Sequence, residues 1–157
     1  MSKIEFDEFG NPKPYEIIAL SMEECENIFV KNFPDSDTRI DNWDGLKRFN
    51  HDLKTVLKYP LRQWIDGSFV TNKLNPNDID LVSFIHQLDF VPSLSLFDMN
   101  RSDGYPKKQY NIDGYVIINL PESHQYYVKM QEQTNYWKEF FSTDREGNPK
   151  SIVEIVS

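Results

Sequence analysis

Residues 64–84 read WIDGSFVTNKLNPNDIDLVSF, and the reading of this stretch decides the fold. A short strand, Arg62–Asp66, carries aromatic and branched residues and breaks at Gly67-Ser68. A spacer rich in Asn and Pro follows, then a second strand over 78–84 with clean alternation of polar and apolar residues. Side chains two apart on a strand share a face, so Asp78 and Asp80 project together while Ile79 and Leu81 point the other way. Two neighbouring carboxylates repel each other and lose stability unless a cation neutralises them. Hard oxygen ligands on one rigid strand suit Mg2+, which takes one or two carboxylates together with substrate phosphates. Gly67 lets the backbone approach a phosphate closely, and Ser68 supplies a hydroxyl and an N–H donor.

Upstream, residues 1–20 form an extended lead-in punctuated at Gly10-Asn11-Pro12-Lys13-Pro14. Ser21 and Glu24 have the spacing of a capping box. Met22, Cys25, Ile28, Phe29 and Phe33 follow at helical spacing until Pro34 stops them. A second helix is expected over 43–58, where Leu46, Phe49, Leu53, Val56 and Leu57 form one stripe ahead of Pro60. Downstream, residues 86–108 hold Pro92, Pro106 and Ser102-Asp103-Gly104 and read as a short element followed by a loop. Ile112–Asn119 alternates as a third strand. A helix over 122–141 places Tyr126, Tyr127, Met130, Trp137, Phe140 and Phe141 on one face, which reads as core. The chain turns at 144–148 and ends in a strand, Ile152–Val156. The tetrapeptide GNPK stands at 10–13 and again at 147–150 with unmatched flanks, as a turn sequence used twice.

Helices before and between strands, without strict βαβ alternation, predict an α+β (α/β) fold: a mixed sheet with helices packed on one face. No linker divides the chain, so 1–157 reads as one domain, large enough to bury a full core. Hydrophobic residues at 39% and charged residues at 27% exclude a disordered or fibrous class. The lone cysteine, Cys25, excludes an internal disulfide framework and a multi-cysteine zinc site. No apolar run reaches the ~18–20 residues of a membrane helix, and the start MSKIEFDEFG lacks a signal-peptide core. A cytoplasmic protein without a membrane partner is expected. The 17 Lys+Arg against 25 Asp+Glu leave a net charge of −8, which disfavours non-specific attraction to a nucleic-acid backbone.

Gly67-Ser68, the spacer and Asp78-Ile79-Asp80 together resemble the signature of the polymerase-β-like nucleotidyltransferase superfamily. That signature is Gly-Ser or Gly-Gly, a spacer of similar length, and Asp-x-Asp between apolar residues. The resemblance is firm over 64–84. It implies that Gly67 and Ser68 bind the triphosphate, that Asp78 and Asp80 hold two divalent cations (Mg2+ or Mn2+), and that a third carboxylate on a neighbouring strand completes the site. Asp113 is the expected third acid, because Ile112–Asn119 is the only downstream strand with an aspartate between apolar residues. It would share a face with Tyr115, while Ile112, Gly114 and Val116 pack toward the helices. Gly114 weakens the strand beside it, and Asp98 and Asp103, in loop sequence, are the alternatives. More loosely, WIDGSFVT, DIDLV and DREGNPKSIVEI resemble a small stand-alone prokaryotic group of uncharacterised nucleotidyltransferase-like proteins.

The activity so implied moves a nucleoside monophosphate from an NTP, ATP foremost, to an acceptor and releases pyrophosphate. Compact members of the superfamily often belong to toxin–antitoxin or phage-defence pairs, so the acceptor is a protein hydroxyl or an RNA end. The acidic charge favours the protein, and Lys73, Lys107, Lys108, Arg145 and Lys150 are expected not to converge into an RNA-binding patch. Lys73 is a candidate to neutralise the triphosphate, Arg145 and Lys150 to contact phosphate, and Asp66 to support the site; the alternative is a surface residue for Lys73 and ordinary turn residues for the others. The alternative function is a non-catalytic nucleotide-binding or regulatory module of the same fold. His51, His86 and His124 lack ligand spacing, and no Ser-His-Asp arrangement, P-loop or GxGxxG motif is present.

Overall fold

The computed structural model describes residues 3–97 and 107–157. Its lead-in is built from short strands. β1 (Glu5–Phe6) and β2 (Pro12–Lys13) pair antiparallel, and β3 (Ile17–Ala19) joins the main sheet. Ser21 caps α1 (Met22–Glu26) as its spacing predicts: the Glu24 N–H donates to Ser21 Oγ at 3.0 Å, and the Ser21 N–H to Glu24 Oε2 at 2.8 Å. The helix widens into a π-helical turn, Asn27–Lys31, that carries the buried Phe29.

α2 (Arg39–Lys54) starts and ends four residues earlier than the apolar stripe predicts. Its start is set by Ser36, whose hydroxyl accepts from the Arg39 N–H at 3.1 Å. Its end is set by the buried Asp89 carboxylate, which accepts from the backbone N–H of both Lys58 and Tyr59 at 3.0 Å. Val56 and Leu57 still pack against the core from beyond the helix.

Four longer strands follow: β4 (Arg62–Asp66), β5 (Ile79–His86), β6 (Ile112–Asn119) and β7 (Ile152–Val156). With β3 they form a five-stranded sheet of order β3-β7-β4-β5-β6. β4 is antiparallel to β5 and β7, whereas β3–β7 and β5–β6 are parallel. Strands β4, β6 and β7 have the expected bounds. β5 begins at Ile79, which leaves Asp78 at its mouth. The short helices α3 (Phe90–Ser93) and α4 (Lys107–Tyr110) fall in the stretch between β5 and β6. Asp98 and Asp103 lie outside the described residues.

The α+β class is the one expected. α1 and α2 cover one face of the sheet, where Phe29, Leu46, Phe49 and Leu53 meet Ile65, Ile79, Leu81, Ile85 and Val153. Each such side chain contributes about 1.5–3 kcal/mol by leaving water. A further helix, α5 (Tyr127–Phe141), adds to the single helical face expected, because it lies across the opposite one. There Trp137 and Phe141 pack with Trp64, Phe84 and Ile117. α5 begins at Tyr127 because the preceding residues turn instead, the His124 N–H donating to the Pro121 carbonyl at 2.9 Å. Only part of its aromatic face is core: Tyr126, Tyr136 and Phe140 are exposed. No helix among the described residues is long and apolar enough to cross a membrane.

The two GNPK turns meet. Gly10 and Gly147 both adopt left-handed φ, 80° and 82°. Asn11 Nδ2 bridges the turns by donating to Asp144 Oδ2 at 3.0 Å and to the Pro149 carbonyl at 3.3 Å. That junction delivers Lys150 beneath the end of β4.

Candidate active site

Three aspartates stand side by side across three adjacent strands. Antiparallel pairing sets Asp66 of β4 opposite Asp80 of β5, and parallel pairing sets Asp80 opposite Asp113 of β6. By strand alternation all three face away from α1 and α2. Asp78 lies just before β5, two residues from Asp80, and its charge reaches Asp80. The third acid chosen from sequence is therefore on the adjoining strand, in register with Asp80.

At Asp66 the chain leaves β4 through Gly67, whose φ is 75°, and enters a 3-10 turn, Gly67–Val70. Asp66 is buried. Its Oδ1 accepts from the Gly67 N–H at 2.9 Å and lies 2.8 Å from Lys150 Nζ. Lys150 also donates to the Gly67 carbonyl at 3.1 Å. The second oxygen of Asp66, Oδ2, is buried without a hydrogen-bond partner. Burial pushes this carboxyl up to about 7, against the opposing pull of Lys150. Lys150 is thus a buried support of the turn rather than a solvated phosphate contact.

Asp80 is raised to about 6, first by burial, then by the charges of Asp78 and Asp113, with a hydrogen bond to Asp113 adding to it. Asp78 is held by Lys107, whose Nζ lies 3.0 Å from Asp78 Oδ2. Lys107 and Lys150 thus each reach a different carboxylate of the site, Asp78 and Asp66. Lys73, Lys108 and Arg145 make no ion pair with a described residue. Ser68 is half-buried at the turn, and its carbonyl accepts from the Thr71 N–H at 3.1 Å.

Among the described residues, no three His, Cys, Asp or Glu side chains already stand as a metal cage. Asp78, one of the three acids expected to ligate, is engaged by Lys107. The donor set nevertheless fits a hard divalent cation. Asp78, Asp80 and Asp113 offer carboxylate oxygens, and a cation would relieve the repulsion that Asp78 and Asp113 exert on Asp80. The Lys107 side chain is 58% exposed, so its pairing is worth at most about 1 kcal/mol and yields easily.

One residue that fixes the site escaped the sequence reading. Arg39 is fully buried, and its guanidinium donates to the carbonyls of Phe29 at 2.8 Å, Phe69 at 2.7 Å, Thr71 at 2.7 Å and Lys73. It staples the loop between Ser68 and the aspartates. Its signal was its place, four residues before Trp43 and seven before Leu46, on the inward stripe of α2.

Residues 4–156 match the model of a family described as a family of unknown function. The chain belongs to DUF6932. No curated protein and no solved structure matches it. The DUF6932 description carries no activity, so a functional reading of this member rests on the geometry of its own residues.

Proposed function

We propose that this chain is a Mg2+-dependent nucleotidyltransferase that transfers a nucleoside monophosphate from an NTP, ATP foremost, to a protein hydroxyl. The register of Asp80 against Asp113, beside the Gly67-Ser68 turn, is the observation that carries this reading. Asp78, Asp80 and Asp113 would hold the cation, and Gly67 and Ser68 would receive the triphosphate. Bound Mg2+ supplies charge neutralisation at the attacking and leaving oxygens. The acceptor oxygen forms a bond to the α-phosphorus, and the bond from that phosphorus to the bridging oxygen breaks. The electron pair leaves with pyrophosphate, while the acceptor proton passes to a carboxylate. Asp113, on the last strand of the described sheet, is the carboxylate assigned that role. Lys107, once released from Asp78, is in place to pair with the triphosphate. A protein acceptor fits a chain of net charge −8 whose two basic groups at the site are already engaged by carboxylates.

The test is to incubate the protein with each α-labelled NTP, Mg2+ and cell lysate. Label should enter a protease-sensitive product, and Asp113→Asn should reduce it by about 10²–10⁴-fold. Label that survives protease but vanishes with RNase would move the acceptor to RNA. Binding of an NTP without any transfer would leave a non-catalytic nucleotide-binding module.

A further inference from the structure

A groove of about 660 Å3 opens between β6 and α5, and Tyr115 in its lining connects it to Asp113. Tyr115 belongs to both places: its hydroxyl lies 3.5 Å from Asp113 Oδ2, and it also lines the groove. The opposite wall is α5, through Trp137, which also packs on the core, and the exposed Tyr136. Trp137 sits against Tyr115 with ring centroids 4.4 Å apart, and Tyr136 stands edge-on to Trp137 at 5.4 Å. Tyr136 is 60% exposed and Tyr115 38%, so both offer surface to a ligand. Lys129, Glu132 and Gln133 add a cation, a carboxylate and an amide to the lining. Aromatic walls with a few polar groups, at a volume within ~300–1,000 Å3, are the makeup of a small-molecule site.

We propose that this groove receives the nucleoside end of the nucleoside triphosphate, with the base stacked on the rings of Tyr115 and Tyr136. The inference rests on the nucleotidyltransferase reading, since it takes the phosphates to lie at Asp80 and Asp113. A nucleotide anchored there has its sugar and base led along Tyr115 into the groove. Flat rings with open faces stack on any base, while the amide and charged groups of α5 offer donors and acceptors to its edge. The Tyr115 and Trp137 rings already touch, so the base lies over the exposed rings rather than between that pair.

The experiment compares ATP with inorganic tripolyphosphate, each with Mg2+, by calorimetric titration and tryptophan fluorescence. Trp43 and Trp64 are each 2% exposed, so a ligand-induced change in emission reports Trp137. The expected result is that both ligands bind, that ATP binds roughly tenfold or more tightly than tripolyphosphate, and that ATP alone shifts the emission. Tyr136→Ala should remove most of that advantage and leave tripolyphosphate binding unchanged. Trp137→Ala should do the same, but it also removes packing under α5, so the exposed Tyr136 carries the test. Equal affinities for the two ligands, or an ATP advantage untouched by Tyr136→Ala, would overturn the proposal and leave the groove to an acceptor peptide. Tripolyphosphate binding without gain for ATP removes the groove alone. Failure of both ligands removes the phosphate site and the groove with it.

Discussion

The carboxylate of Asp80 fills the space that a side chain on Gly67 would occupy. A Cβ at position 67 would overlap Asp80 Oδ2, and the φ of 75° there is one that L side chains rarely adopt. The turn and the middle acid are therefore packed as one unit. Gly67→Ala should cost about 1–2 kcal/mol from backbone conformation alone and should displace the Asp80 carboxylate. Thermal unfolding reads the first effect and a Mn2+ titration the second. Wild-type values in both measurements would show that the turn does not constrain Asp80.

Replacing the paired acids tests the metal assignment. Mg2+ with an NTP should raise the melting temperature of the wild type, because a ligand that binds only the native state stabilises it. Asp78→Asn combined with Asp80→Asn should abolish that rise. The ligand-free double variant should stay folded and gain stability, since the charges of Asp78 and Asp113 help push Asp80 up to about 6. A nucleotide-induced shift of wild-type size in the variant would sink the assignment.

Much of the sheet is legible in the sequence because alternation fixes both a strand and its faces. That is why β4, β6 and β7 have their expected bounds and why Asp113 lies on the side of Asp80. Three features are not legible, each for a physical reason. The start of α2 is hidden because its first inward residue is Arg39, a charge bonded to four carbonyls that only the folded chain brings together. The aromatic face of α5 has one helical spacing for two fates. Trp137 and Phe141 turn to the sheet, whereas Tyr136 and Phe140 remain exposed. Lys150 stands in the same tetrapeptide as Lys13, yet the Lys150 side chain is 5% exposed and that of Lys13 is 44%. Nothing local distinguishes them; the position of Asp66 does.

The raised acids set a pH dependence with a definite sign. Asp80 at about 6 and Asp66 at about 7 both exceed the ~3.9 of an unfolded aspartate. Between those values the native state holds protons that the unfolded chain has lost, so stability falls as pH rises from about 4 to about 7 and levels off above. Asp144, held near 2 chiefly by its hydrogen bond from Asn11, works in the opposite direction, but its window lies below pH 4. The ligand-free melting temperature should therefore drop across that interval. Saturating Mn2+ should remove the part of the slope that Asp80 contributes, because the cation replaces its proton, and leave the part that belongs to Asp66. A ligand-free profile that rises from pH 4.5 to 7 would contradict the raised values.

The ion pair beneath the turn gives the sharpest stability prediction. The side chains of Lys150 and Asp66 are 5% and 3% exposed, and Lys150 Nζ holds both Asp66 Oδ1 and the Gly67 carbonyl. Lys150→Met leaves the carboxylate buried with no cation, a change that costs about 3–5 kcal/mol in comparable sites. Part of this cost is escaped by protonation, since Asp66 already sits at about 7, so the loss should be larger at pH 8 than at pH 5. Adding Asp66→Asn removes the stranded charge and keeps an oxygen for the Gly67 N–H. The double variant should therefore recover most of the lost stability, and its own stability should lack the pH dependence that Asp66 contributes to the wild type. Denaturant melts of the two variants at both pH values decide the matter. A Lys150→Met loss under about 1 kcal/mol, equal at pH 5 and pH 8, would mean that the pair behaves as a solvated surface contact and does not brace the Gly67-Ser68 turn.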